Sequence, residues 1–188
     1  MTLADEIQEH MRLTKRQLAT LDVLPRHLAG CYRLNEVYEA IEQDLGSENP
    51  NGLGYAPVTV LERILFPKLF SEKHGVQIEG ENNFRHYSDK TKPVAIDPEV
   101  FQRIQTQDKT VQDGVTYFPF RATRELPDHA VLGIIQIGRE LPEGEIRMLK
   151  DYAKAVGVEL SPRYSRKERD WTRKQEERIR QDEREELE

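Results

Sequence analysis

Cysteine is nearly absent. Cys31 is the only one among 188 residues, so neither an internal disulfide framework nor a CxxC metal site can be built. Long hydrophobic runs are missing too, and nothing approaches the roughly eighteen apolar residues that a membrane span needs. Hydrophobic residues make up 37% of the chain and charged residues 33%, whereas an ordinary globular domain is more apolar and less charged. A positive excess is also lacking: 28 Lys+Arg stand against 34 Asp+Glu, a net −6, which argues against a nucleic-acid partner. The N-terminal segment MTLADEIQEHMRL does not show the basic-then-apolar order of a signal peptide. These absences lead us to expect a soluble, cytoplasmic protein without membrane contact.

The apolar deficit is concentrated at the C-terminal end. Of the 26 residues from Arg163 to Glu188, 18 are charged, nine of each sign. Ser165 and Glu168 have the spacing of a capping box, and pairs such as Asp170–Lys174 and Glu176–Arg180 sit four apart, which supports a helix. Tyr164, Trp171, Ile179 and Leu187 are its only large apolar residues, too thinly spaced for a two-stranded coiled-coil seam. We therefore expect a body at 1–162 and a charged helical tail at 163–188, with Trp171 as the anchor for another protein.

The body opens with helical signals. Leu3, Ile7, Met11, Leu18 and Leu21 fall near one stripe, Pro25 interrupts it, and Leu34, Val37, Tyr38, Ile41 and Leu45 form a second helix ended by Gly46. Ser47–Gly52 is a loop by composition. Val58–Phe70 can be read as a strand, but Thr59 and Glu62 resemble a capping box, so a helix ending near Pro67 is preferred. Short strands are expected at Val76–Ile78 and Asn83–Tyr87, then a strand end at Pro93–Asp97 and a helix from Pro98 to Gln105. Gly114–Phe120 is rich in β-formers, Pro127-Asp128 makes a turn, and Ala130–Gly138 is the clearest strand. A helix carrying Ile146, Leu149, Ala153 and Val156 follows. The sum is an α+β sandwich: an antiparallel sheet with helices packed on one face, plus a charged C-terminal helix.

With the elements in place, the segment from about Leu21 to Leu160 resembles a GAF domain, a small PAS-like sensory fold. Tyr117-Phe-Pro-Phe120 resembles that family's "vPl" strand, Val131–Ile137 its "vlGvlql" strand, Pro93–Asp97 the strand before the ligand-covering helix, and Glu145–Val156 the closing helix. Residues 47–84 fit the family poorly, as an insertion would. The resemblance implies a regulatory rather than catalytic role, and a homodimer formed through the first and last helices.

The chemistries of that family find little support here. No cyclic-nucleotide signature of the NKFDE type is present, and Cys31 falls between the leading helices as a buried small hydrophobe would, not where a bilin is attached. One cysteine cannot form and resolve the disulfide that methionine sulfoxide reduction uses. His86 is the best-placed histidine for a haem, but an exposed or hydrogen-bonded role is expected. The five histidines lack metal-site spacing, no serine has a nucleophile-elbow context, and no GxxxxGK loop exists. No cofactor is therefore named, and no enzyme is expected.

The resemblance places a ligand between the sheet and a cover at about Asp97–Asp113, which nominates Phe101, Arg103, Phe118 and Phe120, with Arg85 and His86 as partners for an anion. Strand alternation puts Phe118 and Phe120 on one side and Tyr117 on the other. Two functions stay open: a regulatory module that binds an unidentified small molecule and signals through helix-mediated dimer or partner contacts, and a ligand-free scaffold with a filled core.

Overall fold

The structure, a computed structural model, describes residues 2–3, 34–46, 53–123 and 130–187, with the backbone alone at 165, 167–169, 171 and 172. The N-terminal stripe beyond Leu3, Cys31, the 47–52 loop and the Pro127-Asp128 turn lie outside the described residues.

The 3–4 spacing of the second apolar stripe produces helix α1, Leu34–Leu45, whose Val37, Tyr38, Ile41 and Leu45 are buried. Gly46 follows because space is short there: a Cβ would sit 2.9 Å from the Glu42 carbonyl oxygen. Strand β1 spans Val58–Arg63 and helix α2 Pro67–His74. Then come β2 (Asn83–His86), β3 (Asp89–Ala95), α3 (Pro98–Ile104), β4 (Thr110–Gln112), β5 (Val115–Arg121), β6 (Val131–Ile137) and α4 (Glu143–Leu187). The strands make one antiparallel sheet in the order β3-β2-β1-β6-β5-β4. β1 and β6 are its centre, with Val60 opposite Ile135. Lys90, Lys92 and Pro93 on β3 blunt one outer edge.

Both faces of the sheet are covered. On one, α1 and α4 bury Val60, Phe118, Phe120, Leu132, Ile135 and Ile137. On the other, α3 lays Val100, Phe101 and Ile104 on Leu61, Phe84, Val131 and Ile134. Between Phe120↔Gly133 and Arg121↔Val131 the register slips by one residue, and this bulge turns Leu132 to the same face as Ile135. Asp97 caps α3 by accepting hydrogen bonds from the backbone N–H of Glu99 and Val100 at 2.8 and 3.4 Å, the ordinary role of a carboxylate at a helix start.

Four expectations are corrected. Val58–Phe70 is a strand followed by a helix that begins at Pro67, not a helix that ends there. Because β1 is covered on both faces, its apolar residues run on without strict alternation and so imitate a helical stripe. The segment 47–84, expected as an insertion, thus supplies a central strand. Val76–Ile78 forms no strand. Ser165 is not a helix start either: α4 runs unbroken for 45 residues with Pro162 inside it.

The seating of α4 depends on a small-residue seam. A Cβ on Gly157 would lie 2.3 Å from the Arg121 carbonyl oxygen. One turn on, Ser161 Oγ donates to the Gly157 carbonyl at 2.7 Å and accepts from the Thr123 backbone N–H at 2.9 Å. Gly157→Ala is therefore expected to push α4 off β5 and to destabilise by about 1–3 kcal/mol, the usual cost of overpacking. A urea titration with an unchanged midpoint would show that the helix does not approach β5 this closely.

Candidate functional site

The most deeply buried charged residue of the body lies on the α1/α4 face. Glu62 on β1 is only 4% exposed, and a buried carboxylate needs partners. The register sets Arg85 of β2 opposite it. Arg85 Nε donates to Glu62 Oε2 at 3.2 Å and Nη2 to Oε1 at 3.4 Å. From α4, the Tyr164 hydroxyl donates to Glu62 Oε1 at 3.1 Å, and the Tyr38 hydroxyl of α1 lies 2.7 Å from that of Tyr164. With the Tyr164 proton on Glu62, the Tyr38 proton falls on the Tyr164 oxygen, so a chain of hydrogen bonds joins α1, α4, β1 and β2. Burial, followed by the Glu62 charge, raises the pKa of both Tyr38 and Tyr164 well above the ordinary phenol value. Breaking such a pair by removing one partner costs about 3–5 kcal/mol.

Beside this chain opens a cleft of about 100 Å³, lined by Glu62, Arg85 and Tyr164 and, from α2 and its lead-in, by Phe66, Leu69, Phe70, Lys73 and His74. The Arg85 guanidinium stands 5.9 Å over the Phe70 ring, and Phe70 is the buried residue of α2. Gly75, with φ 67°, ends α2 in the left-handed conformation that glycine adopts readily. Arg63 turns the other way: its guanidinium stands 5.1 Å over the Phe101 ring on the α3 face, where burial lowers its pKa.

A second cluster surrounds Glu42 of α1. Glu42 Oε2 is 2.7 Å from His86 Nε2 and accepts the Val60 backbone N–H at 3.0 Å, and Glu42 Oε1 accepts the Tyr87 hydroxyl at 3.3 Å. His86 Nδ1 lies 2.6 Å from Ser88 Oγ and accepts the Ser88 backbone N–H at 3.2 Å. Because Nδ1 is an acceptor, Nε2 carries the proton toward Glu42. The order carboxylate, imidazole, hydroxyl is that of a nucleophilic relay. Here, however, the Ser88 N–H, which would have to meet a developing oxyanion, is spent on the base itself. The cluster pins α1 to the β2–β3 hairpin.

The six residues nominated as ligand contacts are not brought together. Phe118 and Phe120 lie in the helix-side core, on the same side as each other, while Tyr117 packs toward the α3 side. Phe101 is on the opposite face, edge-on to Phe84 with ring centroids 6.2 Å apart. Arg103 donates to the Glu99 carbonyl at 3.3 Å and to Gln112. His86 faces Glu42, and Arg85 alone of the six lines the cleft. The polar cover after α3 is also bonded internally. Arg121 donates to Asp108 at 2.7 Å and to the Gln107 carbonyl at 2.6 Å. Although burial pushes the Asp108 pKa up, its hydrogen bond to Arg121 and the charges of Arg121, Lys154 and Lys150 bring it below the usual value. Trp171 lies on the outer half of α4, and its side chain is outside what the structure describes.

Sequence reasoning does not point to Glu62 and Tyr164 as a site, because it places Glu62 in a helix cap and Tyr164 in the charged tail. The available signal was a carboxylate within the apolar run Val58–Leu65, where only a partnered charge can be accommodated. Among the described residues, no three His, Cys, Asp or Glu side chains are grouped to hold a metal ion, and no helix is long and apolar enough to cross a membrane.

No family model matches the sequence, and no curated protein is significantly similar to it. Among solved structures, the chain is similar to the A. aeolicus nlh2 GAF domain in an inactive state. The TM-score is 0.50 and the sequence identity 18%, over 80% of this chain and 99% of that one. At that identity the likeness concerns the fold, and the chain has a GAF-like α+β fold, as its strand signature leads one to expect.

Proposed function

We propose that the chain is a non-enzymatic regulatory module, in which a GAF-like body receives a small-molecule input and its terminal helices pass the change on by dimer or partner contact. The observation that carries this reading is the course of α4. The helix is rooted in the body at Tyr164, which bonds to Glu62 and Tyr38. It then runs on to Leu187, about 35 Å farther at 1.5 Å per residue. Among its described side chains past Tyr164 none is buried, and Arg178 reaches Glu72 of α2 only at 4.0 Å with both side chains about two-thirds exposed, so most of this half of the helix is open to another chain. Its basic stretch followed by an acidic end suits a charged or antiparallel partner. The non-catalytic part of the proposal is supported by the Glu42–His86–Ser88 cluster, whose hydrogen bonds are spent within the fold.

A second reading, a scaffold without ligand, is favoured by one specific observation: the face beneath α3 is filled with Phe84, Phe101, Ile104 and Ile134. Native mass spectrometry of the purified protein separates the two, since a bound small molecule supports the first and its absence the second. The helix-output claim is tested by deleting residues 165–188. The melting temperature is expected to stay within a degree or two, because the deletion leaves Tyr164 in place, while association seen by sedimentation or with a purified partner falls. A full-length protein that is a monomer and binds no protein through the outer half of α4 would overturn it.

A further inference from the structure

We infer that the cleft between α2 and the Glu62–Arg85–Tyr164 chain is a binding site for a short-chain carboxylate. The cleft lies on the α1/α4 side of the sheet, opposite the face covered by α3. The only carboxylate on its lining among the described residues is already engaged: Glu62 Oε1 receives Tyr164 and Arg85 Nη2, and Oε2 receives Arg85 Nε. The Arg85 side chain remains 15% exposed, and its Nη1 has no hydrogen-bond partner among the described residues. One edge of the guanidinium thus holds Glu62, while Nη1 remains available to a second carboxylate, the geometry for which arginine is suited. Lys73, exposed and without a partner among the described residues, supplies a further cation on the lining, and His74 a further donor.

The remaining lining selects among anions. Leu65, Phe66, Leu69 and Phe70 make the α2 side of the cleft apolar, which suits an aliphatic tail and gives a fully hydrated phosphate nothing to bond. The volume, about 100 Å³, corresponds to roughly three water molecules at about 30 Å³ each. That admits a carboxylate with a tail of two or three carbons. So small a ligand is expected to bind weakly, in the millimolar to high-micromolar range. Because α2 buries only Phe70, a carboxylate held between Arg85 and Lys73 would draw α2 onto the body. The Arg85–Glu62–Tyr164 bonds would carry that closure to the root of α4. This last step rests on the helix-output reading above, but the binding step does not.

The test uses the full-length protein. Acetate, propionate and butyrate are titrated at constant ionic strength, with sodium chloride, inorganic phosphate and propionamide as comparison arms, and amide chemical shifts are read by NMR. Saturable shifts in α2 and β2 with propionate or butyrate, absent with chloride and propionamide, are expected. Lys73→Gln should weaken them about tenfold, the loss of one charge-assisted bond. Leu69→Trp, which fills the cleft without touching the ion pair, should abolish them while the rest of the spectrum is kept. No saturable response to any carboxylate, an unchanged affinity in both variants, or phosphate binding more tightly than butyrate would each overturn the assignment. Because the readout is binding, its failure is distinct from a failure of α4 to find a partner.

Discussion

Ile135→Asp is expected to abolish the folded state at 37 °C or to cost at least several kcal/mol. Ile135 is 0% exposed and sits at the centre of β6, opposite Val60 of β1 on one side and Phe118 of β5 on the other. The helices α1 and α4 close the face it occupies. A carboxylate there finds no donor to replace its hydration, so it must take up a proton or open the sheet. Ile135→Val, which removes one methylene from the same place, should cost only about 0.5–1.5 kcal/mol. The pair separates a burial effect from a general intolerance of change. Chemical denaturation followed by circular dichroism measures both. A melting temperature within a degree or two of wild type for Ile135→Asp would show that β6 is not the buried centre of the sheet.

That strand was legible because its signal is local: seven residues rich in Ile, Val and Leu, bounded by turn-formers. The same holds for α1, whose spacing alone defines Leu34–Leu45, and for α3, whose Asp97-Pro98 start names its cap and first residue. β1 was harder because periodicity reports how many faces a segment buries before it reports its conformation. With Val60 turned to the helices and Leu61 to α3, β1 loses the alternation that betrays a strand. The end of the body was obscured for a different reason. Charge counting over 163–188 averages Tyr164 with the solvated residues after it, although its hydroxyl bonds the most buried carboxylate described.

The candidate site was least legible because it is made of pairings, not motifs. Glu62 meets Arg85 only through the β1–β2 register, and both meet Tyr164 only because α4 crosses this face at that point. Phe118 and Phe120 show the converse: alternation correctly put them on one side, but nothing local says which side of the sheet the α3 cover lies on. The role of Gly133, too, follows only from the finished packing. A Cβ there would come within 2.5 Å of the Leu61 carbonyl oxygen and closer still to the Phe120 ring. The sequence signature around it therefore reflects a close fit between strands rather than ligand chemistry.

Raising the pH should unfold the protein steeply above about pH 10. Tyr38, Tyr152 and Tyr164 are buried, and burial raises the pKa of all three, with the Glu62 charge adding to Tyr38 and Tyr164 and that of Asp44 to Tyr152. Below about pH 10, the ordinary phenol value, both folded and unfolded chains keep these protons, and the full stability is present. Above it the unfolded chain releases them and the folded chain does not, so stability falls as pH rises toward the folded-state values. Each such group contributes about 1.4 kcal/mol per pH unit, and three together about 4. A domain stabilised by about 5–15 kcal/mol would then unfold within roughly one to four pH units. The chain has seven tyrosines, so the 295 nm absorbance of these three should appear as a cooperative step that coincides with the circular dichroism change, on top of the gradual ionisation of the more exposed ones. The variants should separate the contributions. The Tyr152 hydroxyl is buried without a hydrogen-bond partner among the described residues, so Tyr152→Phe should raise stability slightly at neutral pH and also move the alkaline midpoint upward. Tyr164→Phe should lose about 1–2 kcal/mol at neutral pH by withdrawing the donor to Glu62, yet show a shallower alkaline slope. Phenolate absorbance that reaches the amplitude of all seven tyrosines gradually around pH 10, with the circular dichroism unchanged, would mean that these hydroxyls reach water. The hydrogen-bonded chain from Tyr38 to Glu62 would then not be the buried root of α4.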